Sequence, residues 1–280
     1  MELHKIRTMG ERFTATGDFI RENRKVLFKN LFPAGVILAV LMGFFMQDYV
    51  KSVYFSGGNP VTLESINWFA YTGMMIVAIV FSLFIYAMSG AILGKYAEGS
   101  LTPETGWADL KGKFFSIAGK IFVQYCIVVL LLIALAVILA VPIFLLLKGP
   151  WLIMGSLLFT LLFCVIILLL MPVFVLMSYP VYFESASAWA GIKQGFRWGF
   201  RYWGSTLATL LLGGLLLCVV YYILAMPYIL YLMFGTGAAE WLGSLLAALV
   251  YVTILLLNPI YIIFLAFQYT SILEKEKAKG

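Results

Sequence analysis

Two glutamates at matching places in a repeated sequence pattern are the residues best suited to acid–base chemistry. Glu98 follows Tyr96 and Glu184 follows Tyr182, each ahead of a similar aromatic and basic segment. If the two carboxylates meet, they can share general acid–base work, which gives the hypothesis of an enzyme acting on lipid headgroups. In the structural alternative, each carboxylate stabilises the start of the next helix or pairs with a lysine or arginine.

Other residue types predict no catalytic or metal centre. Ser185 and Ser187 have no histidine near them in sequence that would activate a hydroxyl group, and His4 is the single histidine of the chain. The cysteines lie in apolar segments without paired spacing: Cys126, Cys164 and Cys218. Phosphate-binding glycine loops are absent from the sequence. We therefore expect a non-enzymatic protein with no catalytic residue, metal or cofactor.

A stretch that mixes aromatic and basic residues, Tyr179–Trp203, predicts contact with lipid. If Ser187–Trp203 is a helix, its cations form one stripe beside an aromatic face, which is typical of a helix in the membrane interface. The predicted lipid- or partner-binding residues are Lys193, Arg197, Arg201, Trp189, Trp198 and Trp203. Each cation attracts anionic headgroups by about 1 kcal/mol. The alternative is a plain loop helix whose cations only mark topology.

Small residues form a separate ridge on the same predicted helix. Gly191, Gly195 and Gly199 recur at every fourth position and share one face. Each glycine costs about 1 kcal/mol in an isolated helix, so three on one face favour close packing against a neighbouring helix.

The elements that position these residues are apolar segments. Of 280 residues, 63% are hydrophobic and 11% are charged, whereas soluble domains have about 25% charged residues. Six segments are long enough to cross a bilayer: about Leu31–Gln47, Asn67–Leu93, Ser116–Leu147, Trp151–Met177, Gly204–Phe234 and Trp241–Phe267. The sequence therefore predicts an all-α polytopic membrane protein with six transmembrane helices. The turns between the two helices of each successive pair lie at 57–60, 148–150 and 235–240.

The distribution of cations predicts the orientation of the chain. Of the 19 lysines and arginines, all except Lys51 and Lys148 lie in the two termini and the two loops of one face. The positive-inside rule places that face, with both termini, in the cytoplasm. The net charge of +6 then serves topology and contact with anionic membrane lipids, and we expect no nucleic-acid partner.

An internal repeat divides the single membrane domain, 1–280. Trp107–Phe114 matches Trp189–Phe196, and Leu168–Phe174 matches Leu255–Tyr261. The pattern predicts three parallel hairpin units, each preceded by a cytoplasmic amphipathic surface helix. Their bounds are 1–94, the weakest copy, then 95–178 and 179–280.

The third unit resembles a signature of bacterial six-span membrane proteins, among them the membrane domain of some glycerophosphodiester phosphodiesterases and related uncharacterised families. The shared pattern is Pro180–Ser185 with Glu184, then Ala190–Phe196 with Lys193, then Trp203 before a new apolar run. The resemblance implies the bacterial inner membrane and a non-catalytic module, because the phosphodiesterase chemistry of those proteins lies in a separate soluble domain.

Three functions follow from these patterns. The first is a non-enzymatic inner-membrane protein that interacts with lipid or a membrane protein partner through its surface helices. The second is a transporter or flippase for an apolar or amphiphilic substrate, suggested by parallel repeats and by matched prolines at Pro142 and Pro227. The third is the lipid-headgroup enzyme that needs Glu98 and Glu184 to converge.

Overall fold

The computed structural model describes residue 3 and residues 5–54, 67–146, 150–234 and 240–279, and these residues form helices joined by short turns. No strand occurs among these residues. The helices are α1 (Met9–Tyr54), α2 (Trp68–Ala97), α3 (Trp107–Leu146), α4 (Pro150–Leu176), α5 (Tyr179–Phe183), α6 (Ala188–Arg201), α7 (Trp203–Phe234) and α8 (Glu240–Lys277).

Six of these helices are long and apolar enough to cross a membrane: α1, α2, α3, α4, α7 and α8. The prediction of an all-α, six-span membrane protein is therefore confirmed. The predicted turn at 57–60 lies outside the described residues, and so do 147–149 and 235–239, which hold most of the other two predicted turns.

The amphipathic segments of the first two predicted units are not separate helices. They are the first turns of α1 and α3, which continue into the apolar part without interruption. Pro33 lies inside α1, where it removes one backbone hydrogen bond without ending the helix. In the third unit the amphipathic segment is a separate helix, α6, because the backbone leaves the helical conformation at Tyr202, with φ of −112° and ψ of 27°, before α7 begins. A second break precedes α6, where Ser185 adopts a left-handed backbone conformation with φ of 51°.

Helix α1 crosses the bundle obliquely. Its Arg12 side chain donates to Thr209 of α7, and its Gln47 side chain accepts from Tyr228 of the same helix. Between these contacts α1 advances about 52 Å, whereas α7 advances about 28 Å. The first part of α1 therefore runs across the bundle, and Asn30 reaches the loop before α3, where its side chain donates to the Thr105 carbonyl.

The antiparallel pair of α1 and α8 is the centre of the structure. Near one end a Cβ atom added at Gly43 would lie 2.5 Å from the Ala248 Cα atom, so the two backbones nearly touch. Near the other end the Arg7 backbone N–H donates to the Ser271 hydroxyl at 3.1 Å. We call this second end, where α1 begins and α8 ends, the terminal end. Residues 262–272 are all buried there, and the outer faces of α3 and α4 expose leucines that suit a lipid environment.

Candidate functional site

Helix α6 is set at the terminal end by a sharp corner of the chain. The Ser187 hydroxyl accepts a hydrogen bond from the Ala190 backbone N–H at 3.2 Å and so caps the first turn of α6. Before the cap, the carbonyl of Ser185 accepts from the Lys120 amine of α3 at 3.0 Å. These contacts fix the direction in which α6 leaves the corner.

The glycine ridge of α6 lies directly on α4. A Cβ atom added at Gly195 would lie 2.8 Å from the Met177 Cβ atom, and one added at Gly199 would lie 2.7 Å from the Val173 Cα atom. A Cβ atom added at Gly191 would lie 2.5 Å from the Met177 carbonyl oxygen. Real Cβ atoms do not approach other atoms this closely, so the spacing of α6 and α4 depends on hydrogen at these three positions.

Gln124 of α3 connects the corner to both neighbouring helices. Its amide nitrogen donates to the Met177 carbonyl at 2.8 Å and to the Ala188 carbonyl at 3.2 Å. The side chain is fully buried. The Met177 carbonyl, which follows the end of α4 and has no later helical N–H, thus has a donor, and the Ala188 carbonyl receives a second contact at the start of α6.

The outward face of α6 combines exposed aromatic rings with cations. Trp189, Phe196 and Phe200 are 65%, 37% and 53% exposed. Lys193 and Arg197 are exposed beside them, and neither has a hydrogen-bond or ion-pair partner among the described residues. We call these five residues the α6 lipid face. An apolar strip next to unpaired cations is suited to the boundary between hydrocarbon and headgroups.

The third predicted cation has a partner within the protein. Arg201 Nη1 lies 2.7 Å from Glu276 Oε2 at the end of α8. Glu276 also accepts a hydrogen bond from the Tyr202 hydroxyl at 2.5 Å. Arg201 therefore connects α6 to the carboxyl-terminal helix and has less charge to offer a headgroup than Lys193 or Arg197.

Two of the three predicted tryptophans have packing positions. The Trp198 indole is only 6% exposed and lies 5.2 Å from the Tyr269 ring, so this residue lacks the exposure that a lipid-binding role requires. Trp203 begins α7, and its indole N–H donates to the Leu169 carbonyl at 3.0 Å. Leu169 lies in the turn before Pro172, where the missing proline N–H weakens the helix ladder.

Each of the two glutamates has its own partners. Glu98 pairs with Lys113 of α3 at 2.5 Å. Glu184 accepts hydrogen bonds from the Tyr269 hydroxyl and from the Gln194 amide, the second at 3.3 Å. Among the described residues, no group forms hydrogen bonds with both carboxylates. Glu98 thus pairs with a lysine, as in the structural alternative, whereas Glu184 is held by a tyrosine hydroxyl and a glutamine amide instead of a cation.

Two residues central to the terminal end carry no clear sequence signal. Tyr269 lies in the buried part of α8 and its hydroxyl also accepts from Gln194 at 3.0 Å. Arg12 looks like one of many cations in an amphipathic segment, yet it is buried and donates to the Thr209 hydroxyl at 2.9 Å and to the Arg7 carbonyl at 3.1 Å.

Comparison with known proteins does not supply a function. No family model, curated protein or solved structure matches this chain. The resemblance of the segment around Glu184 and Lys193 to bacterial six-span proteins therefore stays a prediction. The function must be inferred from the geometry of the terminal end.

Proposed function

We propose that this membrane protein binds anionic phospholipid through the α6 lipid face and acts without catalysis, as a protein that organises lipid or a membrane partner at the inner leaflet. Its three exposed rings lie beside two cations that form no ion pair or hydrogen bond with another described residue. This pairing is the observation that supports the proposal. Rings of this kind enter the interface while lysine and arginine attract phosphate groups.

The orientation in the membrane follows from the same charges. We infer that the terminal end faces the cytoplasm of a bacterium, with both termini inside, because the two termini and the two loops on that face hold all lysines and arginines except Lys51 and Lys148. The cytoplasmic leaflet is also the one that carries negative surface potential. A reporter fused to the carboxyl terminus should be active only in the cytoplasm, and activity outside would refute this orientation.

The alternatives have less support in the structure. A transporter needs a path, yet the space between α1, α2, α5 and α8 is filled by one continuous cluster of buried side chains that includes Phe19, Tyr182 and Tyr269. The enzyme hypothesis needs two cooperating carboxylates, and Glu98 and Glu184 are engaged by different partners. Lipid binding at an exposed face needs neither feature.

Replacing Lys193 and Arg197 with glutamine should weaken lipid binding at α6 about 30-fold, since two cations at about 1 kcal/mol each are lost. The measurement uses cysteine-free protein with a fluorophore at Ala190→Cys, an exposed position on α6. Quenching by spin-labelled phosphatidylglycerol, added to neutral detergent micelles, reports lipid that arrives at this helix.

A charge-matched control separates the site from bulk attraction. Lys277→Gln with Lys279→Gln removes two cations that already have ion-pair partners in Glu274 and Glu276. We expect less than a threefold change for this control. Equal quenching curves for the wild type and the Lys193 and Arg197 variant would refute the proposed function.

A further inference from the structure

An apolar groove follows the seam between α1 and α8 on the outside of the bundle. Its volume is about 220 Å³. It is lined mainly by aliphatic and aromatic side chains of the two helices, among them Leu27, Phe32, Leu256 and Ile263. Pro259 also lines it. Along the lined stretch α1 advances about 18 Å, from Ile20 to Phe32, and α8 advances about 12 Å, from Ile263 to Leu255.

A second depression, lined by basic residues, lies next to this groove and shares part of its wall. Arg24 and Phe28 line both spaces. The second space has a volume of about 550 Å³, and its other lining residues are Lys25, Lys29 and Pro103. Three cations thus lie beside the apolar groove, and no carboxylate-bearing residue of the part of the chain that the structure describes lines either space.

The cations of the depression are available to a ligand. Arg24 and Lys25 are exposed and have no hydrogen-bond or ion-pair partner among the residues that the structure describes. Lys29 donates to the Glu104 carbonyl at 3.3 Å, which holds its amine at the rim without neutralising it. The nearest paired cation on the same helix, Arg21, is bound to Asp18 at 2.9 Å and lines neither space.

We propose that this groove is a specific site for one anionic phospholipid, separate from the α6 lipid face. The phosphate binds Arg24, Lys25 and Lys29, and one acyl chain lies between α1 and α8. This assignment rests on the arrangement of a basic space next to an apolar one. The cations lie beside the groove, on the side of the loop that holds Pro103, and its apolar walls continue along α8 from Ile263 to Leu255. A phospholipid therefore fits with its phosphate at the cations and an acyl chain between the apolar walls. Because the site seals the seam of the first and last helices, its occupant also bridges them.

The test is retention of lipid by purified full-length protein, measured by native mass spectrometry. The protein is stripped with neutral detergent and then mixed with equal amounts of phosphatidylglycerol and phosphatidylcholine. We expect one retained phosphatidylglycerol per chain and at least tenfold less phosphatidylcholine. Equal retention of the two lipids would overturn the proposal, since the groove would then bind acyl chains without distinguishing an anionic headgroup from a zwitterionic one.

Two variants test the two halves of the site. Arg24→Gln with Lys25→Gln should lower retention of phosphatidylglycerol at least tenfold. Leu256→Trp, at a half-exposed position of the groove wall, should have a similar effect because it fills the channel. If Leu256→Trp does not elute as folded protein, Ile260→Phe provides the same test. Unchanged retention of phosphatidylglycerol by either variant would overturn the proposal. If only the cation variant loses the lipid, the site binds a phosphate group without holding an acyl chain in the groove.

Controls keep this result separate from the proposed function of α6. Arg21→Gln with Lys111→Gln removes the same charge from residues that line neither space and should retain lipid as the wild type does. Lys193→Gln with Arg197→Gln should also retain it. If the α6 variant loses the lipid and the Arg24 and Lys25 variant keeps it, the tight site is at α6 and the groove proposal is refuted.

Discussion

Replacing Gly195 with leucine should detach α6 from α4 and leave a protein that melts at least about 10 °C below the wild type. The added Cβ atom would lie 2.8 Å from the Met177 Cβ atom and 2.9 Å from the Val173 carbonyl oxygen. Backbone atoms of α4 have no room to move aside, so we expect a loss of at least about 3 kcal/mol, the upper part of the range for overpacked sites. Thermal melting of the purified protein in mild detergent measures the change.

A series at the same position distinguishes steric conflict from a general effect of substitution. Gly195→Ala should cost less than Gly195→Leu, because alanine adds only the Cβ atom. Gly119→Leu is the matched control, since this exposed glycine of α3 has no atom within 4 Å of an added Cβ. The control should melt at or above the wild-type temperature, as leucine favours helix more than glycine does. Similar melting of the two leucine variants would contradict the packing described for α6.

Replacing Gly43 with leucine should have the largest effect on folding of any single change considered. An added Cβ atom would lie 2.5 Å from the Ala248 Cα atom and 2.9 Å from its Cβ atom, so α1 and α8 would have to separate. Within a bilayer, helices associate through close packing rather than through the hydrophobic effect. We expect most of the variant to aggregate in mild detergent, measured as the monodisperse fraction in size-exclusion chromatography.

The control for this prediction lies on the same helix. Gly17 of α1 is exposed and has nothing within 4 Å of an added Cβ. Gly17→Leu should therefore yield a monodisperse fraction close to that of the wild type. A well-folded Gly43→Leu protein would show that α1 and α8 do not meet at Ala248.

The sequence was sufficient to predict the six transmembrane helices and the glycine face of α6. Hydrocarbon thickness sets the length of an apolar segment, so six such segments give six helices irrespective of how they pack. The four-residue spacing of Gly191, Gly195 and Gly199 predicts a shared face, because helical periodicity is a local property. The Ser187 cap and the left-handed Ser185 at the corner of α6 are also local features.

The remaining features of the site depend on residues far apart in the chain. Trp198 belongs to an aromatic set in sequence, and only the docking of α6 against Tyr269 determines that its indole is buried. Arg201 belongs to the basic stripe, yet Glu276 near the carboxyl terminus neutralises it. Periodicity identifies the faces of one helix, whereas it does not show which neighbour covers each face.

The α1–α8 groove illustrates the same limit at larger scale. Arg24 and Leu256 lie at opposite ends of the sequence and line one space only because α8 returns antiparallel to α1. In the sequence, Arg24 and Lys25 are two of several cations in an amphipathic segment. Their lack of carboxylate partners among the described residues becomes evident only once the helices are packed.

The depth of the α6 lipid face in the bilayer tests the central claim most directly. Spin labels at Phe196→Cys and Lys193→Cys, each in cysteine-free protein in nanodiscs that contain phosphatidylglycerol, report collisions with oxygen and with a water-soluble nickel complex. We predict that the label at position 196 is accessible mainly to oxygen, as in hydrocarbon, and that the label at position 193 is accessible to both, as in the headgroup layer. Accessibility of both labels mainly to the nickel complex would place α6 in water and contradict lipid binding by this face.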